Sequence, residues 1–179
     1  ELFEETGLML ARRRDGRGLP EARRQALARR FQGDLESGRL GLGALLAAAD
    51  LWLDVRALVP FAHWITPEGY AKRYDTRFFI TRAPRGQEAR HDGRELVHSL
   101  WLRPCDALAA GARKRYRLMF PTRMNLRRLA EAASVSQALA QARQRPQVAV
   151  LPQRVIEDGV CKARVPRAAG YGAVPFRHD

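Results

Sequence analysis

Apolar side chains in the first third of the chain recur at the spacing of α-helices. Leu27, Phe31 and Leu35 are each four residues apart, so they share one face of a helix. After a glycine-rich turn at 38–43, a second set with helical spacing consists of Leu42, Leu45, Leu46, Ala49 and Leu53. The pattern predicts two helices between residues 19 and about 58.

From residue 59 onward the sequence changes to runs of β-branched and aromatic residues. Val59–Thr66 and Arg77–Arg82 are such runs, and turn signals containing proline and glycine follow both. We therefore predict two strands here and a third at Leu96–Leu102. The aromatic residues of these segments are predicted to be core residues rather than stacking platforms for bases; they are Trp64, Phe78, Phe79 and Trp101.

Helices and a hairpin are predicted after these strands. One helix covers Pro104–Gly111, a second begins near Pro121, and a third begins after Ser134, which opens a capping-box sequence. Alternation around Asp158-Gly159 predicts a hairpin within 148–165. Helices and strands thus mix in one α/β domain without internal repeats.

The composition fits a folded domain and excludes several classes of protein. The hydrophobic fraction is 46%, yet no apolar run approaches the roughly 20 residues of a membrane span. Cys105 and Cys161 lie far apart, and the four histidines are scattered singly, so neither a disulfide scaffold nor a structural zinc site is predicted. We expect two reduced cysteines in a cytoplasmic protein, although a targeting segment upstream of Glu1 would not be visible in this sequence.

The chain is strongly basic, and its charge is unevenly distributed. The formal net charge of +13 comes almost entirely from arginine and suggests polyphosphate ligands, nucleic acid or an arginine-rich genome. Residues 1–58 have a net charge of +1, whereas 59–179 have a net charge of +12. The excess therefore lies in the second part of the chain.

Much of that excess is concentrated in one run. Seven cations and no carboxylate occur within residues 113–128. Such a run forms either a solvated face or a phosphate-binding rim, because arginine forks match phosphate oxygens bidentately. Arg115 and Arg123 are our candidate substrate-binding residues within it.

Three carboxylates at the start of the chain form the main candidate site. Glu1, Glu4 and Glu5 have i, i+3 and i+4 spacing, which places them on one face of a helix predicted to stop at Gly7. Like charges repel there, and anions near a helix C-terminus oppose the helix dipole. The cluster is either a solvated helix end or a site for a hard divalent cation.

The same residues resemble a known family motif. Residues 1–8, ELFEETGL, resemble the second half of the Nudix box, G-x5-E-x7-R-E-U-x-E-E-x-G-U, where U is aliphatic. Every specified position from Glu1 onward matches, and the first half of the motif lies upstream of Glu1.

Further segments resemble one branch of Nudix proteins, which includes the peroxisomal acyl-coenzyme A diphosphatases. These segments are Phe61–Pro67, Tyr74–Phe79, Trp101–Pro104 with Ala107-Leu108, and Pro121-Thr122 with Asn125-Leu126 and Leu129-Ala130. Members of this branch have a helical insertion after the box, similar to the one predicted here at about 13–58. The C-terminus lacks their peroxisomal Ser-Lys-Leu signal.

The resemblance implies a magnesium- or manganese-dependent hydrolase of diphosphate bonds. Glu4 and Glu5 match the metal-binding pair, Glu1 matches the residue that completes the coordination, and Glu1 and Glu5 are implied to be catalytic. Glu95 stands where the family tends to place a further ligand or general base, although it could equally be a solvated loop residue. Glu88 is a weaker competitor for that role.

The resemblance also singles out one arginine of the second predicted strand. Arg77 lies in the sequence Asp-Thr-Arg-Phe-Phe, which is similar to the family's pattern, and is a candidate substrate-binding residue. Pairing with Asp75 for structural reasons is the alternative.

The fold implied by the resemblance is a Nudix-type α/β/α sandwich with a mixed, curved sheet. One domain would span 1–179, with the box and helix end at 1–12, the helical insertion at about 13–58, and strands and C-terminal helices at about 59–179. A Nudix sheet normally includes strands that precede the box. We therefore expect that the chain belongs to a longer polypeptide or completes its core from elsewhere.

The function implied is cleavage of a nucleoside diphosphate linked to another group, with a coenzyme A derivative as the favoured substrate. Homodimers are common in the family, and neither a membrane nor nucleic acid is the expected partner. The alternative is a non-catalytic Nudix-fold or RNA-binding module that uses the arginine-rich surface. The retained glutamates argue against it, since a binding module does not need carboxylates that repel its ligand.

Overall fold

A computed structural model describes residues 2–89, 98–157 and 160–171. Its residues form two compact units, one drawn from Glu1–Leu58 and Thr81–Trp101, the other from Val59–Ile80 and Leu102–Asp179. Within the described ranges, no helix has the length and apolar character needed to cross a membrane. The organisation as one domain stays a prediction.

The first unit contains three helices and a two-stranded sheet. The elements in chain order are α1 (Leu2–Thr6), β1 (Ala11–Arg13), α2 (Glu21–Glu36), α3 (Leu42–Ala48) and β2 (Leu51–Leu53), followed by a 3-10 turn at Val55–Ala57. β1 and β2 are antiparallel, with Ala11 opposite Leu53.

The predicted apolar faces of α2 and α3 form the core of this unit. Leu27 and Leu35 of α2 and Leu45 and Leu46 of α3 are buried in one cluster, and Phe31 packs against it. The remaining buried members of this cluster are Phe3, Met9, Ala11, Leu19, Ala49 and Leu51. The two helical faces predicted from the spacing of apolar residues are therefore confirmed.

The predicted end of the second helix was wrong. α3 ends at Ala48, and Asp50 follows with a positive φ of 54°, a left-handed conformation that stops a helix. Leu53 therefore lies in β2 rather than on a helical face. Its strand is three residues long, so no alternation was available to indicate it.

The second unit contains a mixed three-stranded sheet. Its strands are β3 (Val59–Ile65), β4 (Asp75–Ile80) and β5 (Ala149–Val150), in the order β4-β3-β5. β4 is antiparallel to β3, and β5 is parallel to it. The first two predicted strands and the mixed sheet are confirmed, whereas β5 is too short to be found from a sequence pattern.

Three helices and a hairpin complete this unit. The helices α4 (Pro104–Ala112), α5 (Phe120–Ala130) and α6 (Val135–Gln144) confirm the predictions, and so do the paired strands β6 (Gln153–Glu157) and β7 (Val160–Arg164). The turn residues 158–159 lie outside the described ranges. Ser134 caps α6 as predicted, since its side chain accepts a hydrogen bond from the Gln137 backbone N–H at 3.2 Å.

The third predicted strand, Leu96–Leu102, was wrong as far as it is described. Residues 96–97 lie outside the described ranges, and residues 98–102 are exposed and form no strand. A strand needs a hydrogen-bonded neighbour, and none of the described strands pairs with this segment. The core prediction for aromatic residues holds for Trp64 and for Phe78, which packs against the core. It fails for Trp101 and Phe79, which are 71% and 50% exposed.

Candidate active site

The glutamate pair lies at the end of α1, in the first unit. Glu4 and Glu5 are both half-buried on this helix, and Phe3 beside them is buried in the core. Gly7 adopts a φ of +66° and donates its N–H to the carbonyl of Phe3 at 2.9 Å, which ends the helix as predicted. Glu1 lies outside the described residues, so its placement stays a prediction.

Glu5 is available for a ligand. Among the residues that the structure describes, no cation and no hydrogen-bond donor contacts its carboxylate. Two neighbouring carboxylates supply the oxygen donors that a hard divalent cation prefers. No group of three or more potential metal-binding side chains is found within the described ranges, so Glu4 and Glu5 are an incomplete ligand set on their own.

A buried arginine secures the end of this helix. Arg24 of α2 is only 5% exposed, and its Nη1 donates a hydrogen bond to the carbonyl oxygen of Gly7 at 2.5 Å. Glu21 holds the other side of the guanidinium, accepting from Nε at 2.7 Å and also from Nη2. The positive charge meets the carbonyl end of the helix, where a cation is favourable.

The segment that follows the box is also fixed by a side chain. The buried amide of Gln87 accepts a hydrogen bond from the Met9 N–H at 2.9 Å and donates one to the Met9 carbonyl at 3.2 Å. The side-chain amide thus satisfies both backbone polar groups of Met9, as the backbone of a neighbouring β-strand would. Sequence patterns did not identify Gln87 or Arg24, although the i, i+3 spacing of Glu21 and Arg24 was a weak signal of an ion pair.

Glu88 and Glu95 are the two candidates for a further carboxylate, and the structure describes only Glu88. Glu95 lies outside the described residues and stays a prediction. Glu88 is exposed and directly follows the anchored Gln87. Glu88 is therefore held, through Gln87, next to Met9, the residue that directly follows the segment resembling the Nudix box.

The run of seven cations in the second unit is not one uniform face. Its exposed members are Arg113, Lys114, Arg115, Arg117 and Arg127, whereas Arg123 is half-buried and Arg128 is buried. Arg117 and Arg123 also line the cavity described below. The run is therefore divided among solvent, this cavity and the core.

Arg128 has a structural role. Its Nη1 donates to the carbonyl of Phe61 at 2.9 Å, its Nη2 donates to the carbonyl of Ala169, and its guanidinium lies 4.0 Å from the ring centroid of Tyr171. Nε is buried without a partner within the described residues. Burial lowers the pKa of the guanidinium, although the nearby Tyr171 hydroxyl opposes that shift.

A cavity of about 540 Å³ opens beside the sheet of this unit. Trp64 of β3 and Thr76 and Phe78 of β4 form its floor, since Trp64 lies opposite Thr76 in the strand register. Its other walls include the segment 117–123, which runs into α5. Arg123 is the only sequence-predicted substrate residue among the lining residues.

A hydrogen-bonded aromatic cluster supports the floor of the cavity. Asn125 Oδ1 accepts hydrogen bonds from Trp64 Nε1 and from the Tyr171 hydroxyl, both at 3.0 Å. Phe120 meets the Trp64 ring edge-on, with centroids 5.7 Å apart. Burial raises the pKa of the Tyr171 hydroxyl, because its ionised form would lose hydration.

The other two predicted substrate residues do not line this cavity. Arg77 is exposed on β4 beside Thr76 and Phe78, so its side chain points to the opposite face of the sheet. Asp75 does not pair with it and instead bonds to His63. Arg115 is exposed, with its guanidinium 5.7 Å from the ring centroid of Tyr116.

Comparison with solved structures identifies the fold. The chain is similar to a protein whose crystal structure is described as a NUDIX hydrolase from Alicyclobacillus acidocaldarius, with 30% sequence identity and a TM-score of 0.68. The match covers 78% of this chain and 61% of that protein, so the chain spans about 61% of its length. No protein-family model matches the sequence. The likeness shows that the chain has the mixed α/β fold of a Nudix hydrolase.

Proposed function

We propose that this chain is part of a Nudix hydrolase that cleaves the diphosphate bond of a nucleoside diphosphate linked to another group. The observation that carries the proposal is the likeness to a NUDIX hydrolase at 30% identity over 78% of the chain. Residues 1–8 independently match the second half of the Nudix box. Family membership and activity are thus supported by a fold and by a motif.

The glutamates of α1 would hold the divalent metal ion, magnesium or manganese. Their donor chemistry fits, because carboxylate oxygens suit hard cations and Glu5 has no other partner among the described residues. Glu4 would be the second ligand and Glu1 the third. When bound, the metal neutralises the diphosphate charge and lowers the pKa of the attacking water.

The residues around α1 would position these carboxylates. Arg24 is bonded to Gly7, two residues beyond Glu5, and Gln87 is bonded to Met9. Both hydrogen bonds hold the backbone of the residues that come directly after Glu4 and Glu5 in the sequence. Catalysis by charge neutralisation depends on such positioning, because a displacement of about 1 Å at a site costs a large factor in rate.

A further carboxylate would act as a ligand or general base. We retain Glu95 for this role on the resemblance alone. Glu88 is the competitor, and the bond between its neighbour Gln87 and Met9 supports testing it first. Separate Glu88→Gln and Glu95→Gln variants would distinguish the two, because only the general base should shift the acidic limb of the pH–rate profile.

The substrate is proposed to be a coenzyme A derivative, on the branch resemblance of residues 61–130. A small phosphate-containing substrate agrees with the similar NUDIX hydrolase, whereas the acyl-coenzyme A branch rests on sequence segments alone. The cytoplasmic location and a homodimer stay predictions.

The second candidate function is RNA binding without catalysis. Five cations of the run at 113–128 are exposed, which favours a phosphate-contacting surface. Binding of this kind weakens steeply with salt, because each neutralised phosphate releases a counterion. Hydrolysis should instead depend on a divalent metal and on the glutamates.

A turnover screen with magnesium separates these functions. Coenzyme A, acyl-coenzyme A, ADP-ribose, NADH and a capped RNA would be incubated with the protein, and the products would be identified chromatographically. The proposal predicts cleavage of at least one diphosphate bond, and coenzyme A derivatives should be cleaved fastest. Absence of turnover, together with tight and salt-sensitive RNA binding, would favour the second function.

A further inference from the structure

We propose that the 540 Å³ cavity of the second unit binds an organic phosphate, with the apolar or aromatic body inside and the phosphate at Arg117 and Arg123. The described residues that line it all belong to this one unit. The proposal therefore concerns binding and does not require the diphosphatase activity.

The interior of the cavity suits an apolar or flat body. Phe78 and Phe120 are half-buried and provide the accessible aromatic wall, and Trp64 packs beneath the floor with 3% of its surface exposed. The Nε1–H of Trp64 already donates to Asn125, so the floor presents no free indole donor to a ligand. A volume of 540 Å³ lies within the range of about 300–1,000 Å³ that small-molecule sites occupy.

The rim of the cavity is cationic. Arg117 and Arg123 line it, and the Lys72 ammonium lies 5.2 Å from the ring centroid of Tyr74, which also lines it. Within the described residues, none of the three cations forms an ion pair. No aspartate or glutamate is among the described lining residues, so the arginines have no counter-charge within that lining.

The arginines hold different positions around this rim. Arg123 is half-buried on the first turn of α5, with its guanidinium 5.8 Å from the ring centroid of Phe120. Arg117 is exposed three residues before that helix. One cation thus lies against the aromatic wall and another at the opening, which matches a phosphate attached to an apolar body.

A few neutral polar groups remain for the ligand. The side chains of Thr76, Thr122 and Gln153 line the cavity and have no hydrogen bond within the described part of the chain. They provide donors and acceptors without adding charge. Ligand sites commonly combine such sparse polar groups with apolar walls.

Calorimetry without divalent metal tests the proposal, with EDTA present to suppress hydrolysis. The ligands are AMP, phenyl phosphate and octyl phosphate, compared with inorganic phosphate and adenosine. At least one organic phosphate should bind about tenfold more tightly than inorganic phosphate, and AMP should bind more tightly than adenosine, since both the cavity and the arginines contribute. The order among the three identifies the body as nucleoside, aryl or alkyl.

Matched variants locate the site. Arg123→Gln and Arg117→Gln should each weaken binding of that organic phosphate about tenfold, because each removes a charged contact to the phosphate. Arg127→Gln is the control, because it removes the same charge from an exposed position of α5 outside the cavity. Thr76→Leu should weaken binding of the organic phosphate by filling the cavity, without removing a charge.

Three results would overturn the proposal. These are binding of inorganic phosphate as tight as that of every organic phosphate, an equal loss in Arg127→Gln and Arg123→Gln, or no binding of any organic phosphate. Thermal melting of each variant serves as the folding control, and Arg117→Gln keeps the test valid if Arg123→Gln fails to fold. Since metal is absent, these outcomes are independent of turnover in the proposed hydrolase reaction.

Discussion

The guanidinium of Arg24 donates a hydrogen bond to the backbone carbonyl of Gly7, the residue that ends the glutamate-bearing helix α1. Arg24 belongs to α2, within the segment predicted as an insertion after the box. The insertion therefore supports the helix that precedes it. The buried guanidinium of Arg24 therefore stabilises the end of α1 in the first unit.

Replacing Arg24 with methionine should lower the free energy of unfolding by about 3 kcal/mol. The change leaves Glu21 and the Gly7 carbonyl without their shared donor, and breaking a buried ion pair on one side typically costs this much. Chemical denaturation measures the loss. Arg29→Met is the control, because Arg29 is exposed on the same helix and has no partner within the described residues. An equal loss in both variants would contradict the role of the buried fork.

Replacing Gly7 with alanine should cost more than backbone strain alone. A Cβ atom at this position would lie 3.0 Å from Arg24 Nη1, in addition to the strain of a φ of +66°. Gly16→Ala is the matched control, since Gly16 has a φ of +79° with no atom within 4 Å of its Cβ position. Strain at either site costs about 1 kcal/mol. Thermal or chemical denaturation should show a larger loss of stability for Gly7→Ala than for Gly16→Ala. Equal losses would show that the Arg24 side chain moves away from the added Cβ at no cost.

Stability should fall in alkaline solution because of Tyr171. Burial raises the pKa of its hydroxyl in the folded state, so folding favours the protonated form. The contribution is complete below the unfolded pKa of about 10 and is lost as pH rises through the folded pKa. Denaturation at pH 8 and pH 10.5 should show this loss.

The Tyr171→Phe variant isolates that contribution. It removes the hydrogen bond to Asn125 and should cost about 1 kcal/mol at pH 8. The difference in stability between pH 8 and pH 10.5 should then be smaller than in the unaltered protein. An unchanged difference would assign the alkaline loss to other groups.

Local patterns predicted the elements that depend on local spacing. The face of Leu27 and Leu35, the cap at Ser134 and the strand Val59–Ile65 could be found because helical, capping and strand signals act within a few residues. β1 and β5 are three and two residues long, and their pairing partners lie far away in sequence. No short-range periodicity could indicate them.

The candidate site was only partly predictable for a related reason. The glutamates follow from spacing and from resemblance to a motif. Arg24 and Arg128 are buried ion-pair and hydrogen-bond donors in a sequence rich in exposed arginine, so composition gave no reason to separate them from their neighbours. Their roles depend on the carbonyl groups of Gly7, Phe61 and Ala169, which only the folded chain brings to them.

The most direct test of the central claim compares Glu5→Gln with Glu68→Gln in magnesium-dependent hydrolysis of a nucleoside diphosphate derivative. Glu68 is exposed in the second unit and serves as the charge-matched control. Glu5→Gln should lower turnover by orders of magnitude while the melting temperature stays the same, because Glu5 has no partner among the described residues to lose. Glu68→Gln should retain full turnover. Undiminished magnesium-dependent hydrolysis in Glu5→Gln would contradict the account.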